Sequence, residues 1–157
     1  MILRAYRSAD CPHLAALFFD TVHTVCAGDY TEAQRWAWAP GSVDLAQWNH
    51  TLSAHVTRVA EADGILVGFG DMADTGYLNR LYVHRAYLRR GIATALCAAL
   101  EEAVDAELFY TYASLTAHPF FLRQGYRVVQ TQTVVRNGIC LRNHRMEKPN
   151  PKKEGIR

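Results

Sequence analysis

The strongest constraint on the fold is a run of three short strands joined by tight turns and followed by one amphipathic helix. The predicted strands are residues 56–62, 65–74 and 77–84, and the turn signals ADG and TG separate them. Apolar side chains then recur at helical spacing, at positions 92, 95, 96, 99, 100, 103 and 104. This order predicts an antiparallel meander that leads directly into a packed helix.

The same reasoning places the remaining elements. Before the meander, the patterns predict a strand at 2–6 and helices within 13–26, 29–40 and 43–52. After the helix, they predict a strand at 107–113, a short helix at 116–124 and a final hairpin around Asn137-Gly138. We therefore expect one domain over residues 1–148 and a disordered tail over 149–157.

Composition narrows the class of protein. The net charge is +2, from 17 basic and 15 acidic residues, which is too balanced to indicate nucleic-acid binding. No apolar run approaches the ~20 residues of a membrane span, and the N-terminus lacks the pattern of a signal peptide. Four scattered cysteines and seven histidines without metal-ligand spacing predict no metal site. We expect a cytoplasmic protein, a monomer or homodimer, with no nucleic-acid or membrane partner.

The helix that follows the meander is charged against its own dipole. Arg89 and Arg90 stand at its start, where acids are favoured by about 0.3–1 kcal/mol, and acidic residues lie near its end. Free N–H groups of the first turn, two arginines and the flexible Gly91 together favour a multiply charged anion such as a pyrophosphate. Thr94 adds a hydroxyl there. The alternative is that both arginines are merely solvated.

The stretch that contains Arg89 and Arg90 resembles the core motif of a known family. The stretch LYVHRAYLRRGIATAL is similar to the core motif of the GCN5-related N-acetyltransferases (GNAT), Arg/Gln-x-x-Gly-x-Gly/Ala between a strand and a helix. ASLTAHPFFLRQGY also resembles this family, most closely its small bacterial YafP-like group. The resemblance implies an α/β fold with a mixed, mostly antiparallel sheet of six to seven strands. It also implies helices on both faces and a splay between strands 4 and 5.

The resemblance also implies where acetyl-CoA binds. The pyrophosphate would lie on the backbone of residues 88 to 94, that is Leu88, Arg89, Arg90, Gly91, Ile92, Ala93 and Thr94. The pantetheine arm would pair like an extra strand with Leu81, Tyr82 and Val83, with Ser114 and Phe121 as further contacts. Two residues depart from the family pattern. Leu88 replaces the leading Arg/Gln, and Phe121 replaces a tyrosine that often protonates the leaving thiolate.

Candidates for the chemistry come from three strands. Alternation places Tyr77, Asn79, Leu81 and Val83 on one face of their strand, where Asn79 would hold a water. Asp71 would act as base if it faces the cleft, and is otherwise a solvated end-of-strand acid. The hydroxyl of Tyr112 is placed to approach the sulfur. Ser114 would contact the cofactor, cap the following helix, or do both.

Aromatic residues are the candidates for acceptor binding. Tyr30, Trp36, Trp38 and Tyr77 are placed to line a pocket, although the first three would serve equally well as core between helices and sheet. If they face the cleft, they favour a flat acceptor or a cation stacked on a ring.

Three functions remain open at this stage. The leading one is an acetyl-CoA-dependent N-acetyltransferase that acts on a primary amine by direct transfer in a ternary complex. The second is a non-catalytic acyl-CoA-binding sensor or regulator. The third is a regulatory partner protein that retains only the fold. Phosphate-binding elements that are intact in the sequence favour the enzyme, with no metal required.

Overall fold

The computed structural model describes residues 1–153 as one mixed sheet with helices on both faces. The strands are β1 (Ile2–Ala5), β2 (Val56–Ala62), β3 (Ile65–Met72), β4 (Tyr77–Val83), β5 (Leu108–Ser114), β6 (Arg127–Arg136) and β7 (Ile139–Pro149). The helices are α1 (Cys11–Thr24), α2 (Glu32–Trp38), α3 (Leu45–Ala54), α4 (Ile92–Ala103) and α5 (His118–Arg123). Every strand and helix predicted from the sequence is present.

The sheet has seven strands in the order β1-β2-β3-β4-β5-β7-β6. All neighbours are antiparallel except β4 and β5, which are parallel and pair only at Tyr77–Tyr110 and Leu78–Thr111. Beyond those two pairs no residue of β4 pairs with a residue of β5, so the two strands splay apart. The predicted fold class, including the splay between strands 4 and 5, is confirmed.

Close packing fixes α4 against the middle of the sheet. Two glycines of β3, Gly68 and Gly70, lie under this helix. A Cβ added to them would lie 3.0 Å from Cγ2 of Ile92 and 2.9 Å from Cδ1 of Leu100, respectively. Because no side chain separates the two layers there, the N-terminus of α4 is held near the end of β4. Helices α1 and α3 cover the opposite face, around Phe69.

A β-bulge in β4 overturns the predicted alternation along that strand. Asp71 is paired with Arg80 and Met72 with Leu78, so Asn79 is an extra residue without an opposite partner. The extra residue reverses the faces of the residues that follow it. Leu81 and Val83 therefore pack towards α4, and not on the face of Tyr77 as alternation predicted.

The tail prediction is wrong for residues 149–153. Pro149 ends β7, and the buried Asn150 donates from Nδ2 to the carbonyl of Ala106 at 2.7 Å. Its backbone N–H donates to Glu107 O at 2.9 Å. These bonds tie the chain to the loop after α4, so the order comes from a buried amide that composition did not reveal. Residues 154–157 lie outside the described residues.

Within the described residues we searched for membrane-spanning helices and for clusters of metal ligands. No helix within residues 1–153 combines the length and apolar character needed to cross a membrane. Over the same residues, no three His, Cys, Asp or Glu side chains converge as metal ligands.

Candidate active site

The loop before α4 has an unusual backbone. Arg89 has a φ of 62° and Gly91 a φ of 79°, so both adopt the left-handed conformation. A non-glycine residue there is uncommon and costs energy, which makes Arg89 a candidate functional position. Gly91 is also the N-cap of α4, and no side-chain hydrogen bond caps the helix there. The first-turn N–H groups are therefore available to an anion from outside the chain.

The two arginines of this loop are not neutralised by the protein. Neither Arg89 nor Arg90 forms an ion pair with any carboxylate among residues 1–153. The Arg90 guanidinium lies over the Tyr87 ring, 4.9 Å from its centre. The Tyr87 hydroxyl in turn donates to Asp63 Oδ2 at 2.8 Å. The loop is thus a positively charged surface, and the Arg90 side chain is held in place by Tyr87.

Past Leu78, the edge of β4 that faces β5 has no strand partner. Leu81, Tyr82 and Val83 lie on this open edge, which leads towards the loop at 88–91. The Val83 carbonyl accepts a bond from Thr21 Oγ1 at 3.3 Å. The open edge of β4 ends at Val83, a few residues before the charged loop, which suits a long ligand with an anionic centre.

A cavity of about 330 Å³ opens beside the same splay, and residues from β4, β5, β6 and β7 line it together with helical residues. Seven of its sixteen lining residues are aromatic, and none of the described lining residues is Asp, Glu or His. The aromatic ones are Phe18, Tyr30, Trp38, Trp48, Tyr77, Tyr82 and Tyr112. The cavity therefore offers a bound molecule aromatic surface and, from the described residues, no carboxylate.

Three of the four predicted acceptor residues line this cavity, but Trp36 does not. Trp36 is 47% exposed and packs against Phe19 and His23 on the outer side of α2. Residues i and i+2 of a helix do not share a face, so Trp36 and Trp38 cannot both face inward. Tyr30 is buried, and its hydroxyl donates to Arg142 O at 2.7 Å and accepts from Leu115 N at 2.9 Å.

Asp71 does not face the cleft. Its side chain is fully buried, and Oδ2 accepts from Asn79 Nδ2 at 3.0 Å and from Arg80 Nη1 at 3.1 Å. Nδ1 of His55 lies 2.8 Å from the same oxygen. Asp71 is absent from the cavity lining, whereas Asn79 and Arg80 are part of it. The condition for a direct base therefore fails, and Asp71 instead positions two side chains that reach the cavity.

Arg80 and Trp48 were missed by the sequence reasoning. The Arg80 guanidinium lies over the Trp48 ring, 4.2 Å from its centre, and both side chains line the cavity. Plain alternation pointed Arg80 away from Asn79, and only the bulge brings both residues to this side. Trp48 lies on a short helix whose pattern gave no distance to β4. The available signal was an arginine beside Asn79 in the middle of a mostly apolar strand.

The β5 candidates behave as hydrogen-bonding groups. The Tyr112 hydroxyl accepts from Arg145 Nη1 at 2.9 Å. Ser114 Oγ accepts from Ala117 N at 3.0 Å in the turn before α5, but the N-cap of that helix is Ala117 and no side-chain hydrogen bond caps it, so the predicted cap is wrong. Ser114 does line the cavity. Burial, together with nearby Tyr112, raises the pKa of Tyr77 above its ordinary value. Its hydroxyl therefore remains protonated and able to donate at neutral pH.

Phe121 and the thiol of Cys97 are both buried in the core beside α4. Phe121 is only 4% exposed and packs against Phe120 and Tyr126, so it presents little surface to a ligand. Its predicted contact with the cofactor stays a prediction. Burial, followed by the Glu101 charge, raises the pKa of Cys97 to about 12. Cys97 therefore supplies no thiolate at neutral pH.

A histidine pair on β7 and α5 predicts a pH effect on stability. The rings of His118 and His144 lie 4.6 Å apart, and burial, then His118 and Arg142, lower the pKa of His144. The unfolded chain then binds this proton more readily, so folding should weaken as pH falls below about 6.5. In His144→Gln, we expect a smaller fall in Tm between pH 7 and 5. The exposed His50 gives a control, and an equal change in His50→Gln would contradict this assignment.

A sheet that splays between β4 and β5, with the uncapped N-terminus of α4 at the end of the open edge, defines a class of protein, an acyltransferase of the splayed-sheet type. The chain matches the family model of the acetyltransferase (GNAT) domain over residues 26–148. It is 33% identical over 145 residues to the uncharacterized N-acetyltransferase YafP of Escherichia coli strain K12, covering 92% of this chain and 93% of that protein. The chain therefore belongs to the GNAT acetyltransferases, close to the YafP-like members.

Solved structures agree with this assignment. A GCN5-related N-acetyltransferase from Rhodopseudomonas palustris superposes with a TM-score of 0.90 at 35% identity, covering 94% of each chain. The PaiA N-acetyltransferase of Thermoplasma acidophilum, solved with coenzyme A, gives a TM-score of 0.78 at 19% identity, covering 94% of this chain and 98% of that one. The second likeness concerns the fold alone.

Proposed function

We propose that this acyltransferase moves an acetyl group from acetyl-CoA to a primary amine of a small molecule or peptide, by direct transfer in a ternary complex. The observation that carries the proposal is the uncapped N-terminus of α4 at the end of the open β4 edge, where neither Arg89 nor Arg90 pairs with a carboxylate among residues 1–153. A helix N-terminus with two free guanidiniums suits a pyrophosphate.

The described residues fit acetyl-CoA along one continuous path. The pyrophosphate would lie on the backbone from Leu88 to Thr94, and the pantetheine arm would bond to the open edge at 81–83. That path ends in the splay, beside Asn79 and Tyr112, where the aromatic cavity begins. Acetyl-CoA would supply an activated thioester there, and the protein would supply alignment with the amine.

The transfer requires a neutral amine. An alkyl amine has a pKa of about 10.4, so most of it is protonated at neutral pH. No carboxylate or imidazole among the described residues lines the cavity, so the ammonium form of the amine would lose its proton through water. The nitrogen bonds to the carbonyl carbon, the C–S bond breaks, and the amine proton leaves to solvent. The thiolate, of pKa near 8.5, departs with little help.

The lining of the cavity supports a second candidate function. A cavity that no Asp, Glu or His of residues 1–153 lines, together with Phe121 in place of a tyrosine, suits a non-catalytic acyl-CoA sensor. Acetyl-CoA would then bind, and no amine would accelerate the release of CoA. An amine-dependent rate of thiol release separates the two functions.

Calorimetric titration with acetyl-CoA tests the cofactor site, which both candidate functions require. We expect micromolar binding that weakens tenfold or more in the double variant Arg89→Ala/Arg90→Ala, since two charge-assisted contacts are lost. The control is Arg7→Ala/Arg127→Ala, which removes the same charge from exposed positions elsewhere. Binding that is absent, or that weakens equally in both double variants, would contradict the pyrophosphate site.

A further inference from the structure

Resting on the proposed function, we propose that the acceptor amine also carries an acidic group, and that Arg136 binds this group at the mouth of the cavity. Arg136 would then be a specificity-determining residue. The acid would be a carboxylate, or another group of the same charge, on a flat acceptor.

The charges around the cavity point to one uncompensated cation. Three arginines are among the lining residues: Arg80, Arg136 and Arg142. The charge of Arg80 is offset by its ion pair with Asp71. Arg142 presents its backbone to the cavity, where its carbonyl accepts from the Tyr30 hydroxyl, and because it follows the inward-facing Leu141, alternation directs its side chain to the other face of β7. Arg136 remains.

The backbone at the end of the β6–β7 hairpin is fixed against α2. Asn137 Nδ2 donates to Ala37 O at 3.0 Å, and Gln34 Nε2 donates to Cys140 O at 3.1 Å. The turn itself has positive φ at Asn137 and Gly138, as the sequence predicted. Because α2 also carries Trp38 into the cavity, these bonds hold Arg136 at the mouth.

The donors of Arg136 are largely unused. Nη1 of Arg136 donates to the Val135 carbonyl at 3.2 Å. No Asp or Glu within the described chain forms an ion pair with it. A guanidinium matches a carboxylate with two parallel bonds, and a polycationic acceptor would meet repulsion there.

A matched pair of probes tests the proposal without turnover. The acidic probe is 4-(aminomethyl)benzoate and its neutral-tailed partner is 4-methylbenzylamine, which differs only at the remote end. Binding is followed by tryptophan fluorescence with CoA present, because two of the three tryptophans, Trp38 and Trp48, line the cavity. We expect the acidic probe to bind at least tenfold more tightly.

Three variants assign the preference to Arg136. Arg136→Gln should abolish it, and Arg136→Glu should reverse it in favour of the neutral-tailed probe. Arg127→Gln is the control, because it removes an exposed arginine from the other end of the same strand. Equal affinities of the two probes, no binding of the acidic probe, or a preference unchanged in Arg136→Gln would each overturn the proposal. Titration with acetyl-CoA is independent of these outcomes and reports separately on the proposed function.

Discussion

Replacing Gly91 by alanine is expected to weaken acetyl-CoA binding by about 2–3 kcal/mol, which is roughly thirty- to over a hundredfold. The pyrophosphate would approach the backbone most closely at this residue, where a methyl group would hold it away from the first-turn N–H groups. The left-handed φ of 79° alone costs alanine about 1 kcal/mol of folding stability. Calorimetric titration measures the first quantity and urea unfolding the second.

Gly138 provides a matched control for this substitution. Its φ is 78°, and an added Cβ would meet no heavy atom within 4 Å at either glycine. Gly138→Ala should therefore cost a similar free energy of unfolding and leave acetyl-CoA binding unchanged. If both variants lose affinity equally, the loss reports backbone strain, and the pyrophosphate does not lie on this loop.

Removing the carboxylate of Asp71 is expected to lower the free energy of unfolding by about 3 kcal/mol and to abolish most acetyl transfer. The carboxylate is fully buried, and its loss leaves Arg80, only 17% exposed, without its counter-charge. Asn79 and Arg80 would then lose their common anchor beside the splay. Asp71→Ala is measured by urea unfolding and by amine-dependent release of CoA.

Glu147→Ala gives the contrast for that prediction. Glu147 pairs with Arg145 at 3.0 Å in the same sheet, but both side chains are considerably more exposed. An exposed pair contributes roughly 0–1 kcal/mol, so this variant should remain close to the native stability. If Asp71→Ala also costs less than 1 kcal/mol, the buried cluster does not position the β4 side chains.

A second variant separates stability from positioning at the same residue. Asp71→Asn keeps the shape of the side chain and still accepts one bond, but it no longer carries the charge that holds Arg80. We expect it to remain folded at 25 °C and still to lose activity. Native activity in a folded Asp71→Asn protein would show that the pairing with Arg80 has no part in transfer.

The candidate cofactor site was largely predictable because it is local in sequence. The wrong-way charges of Arg89 and Arg90, with Gly91 beside them, fall within a few residues and need no tertiary contact to be recognised. The structure adds the left-handed backbone of Arg89, which propensity does not predict for arginine. The acceptor side was less predictable, since its residues come from both helical and strand segments distant in sequence.

The elements, their order and the turn at Asn137-Gly138 could be predicted from the sequence, because periodicity and turn chemistry act over a few residues. The set of side chains that meet at the cavity could not, because it depends on strand register and helix packing. A single extra residue at Asn79 reversed the faces of β4 and brought Arg80 onto Trp48. Helix rotation likewise turned Trp36 outward and Trp38 inward. Both outcomes depend on register and packing, which couple residues far apart in the chain.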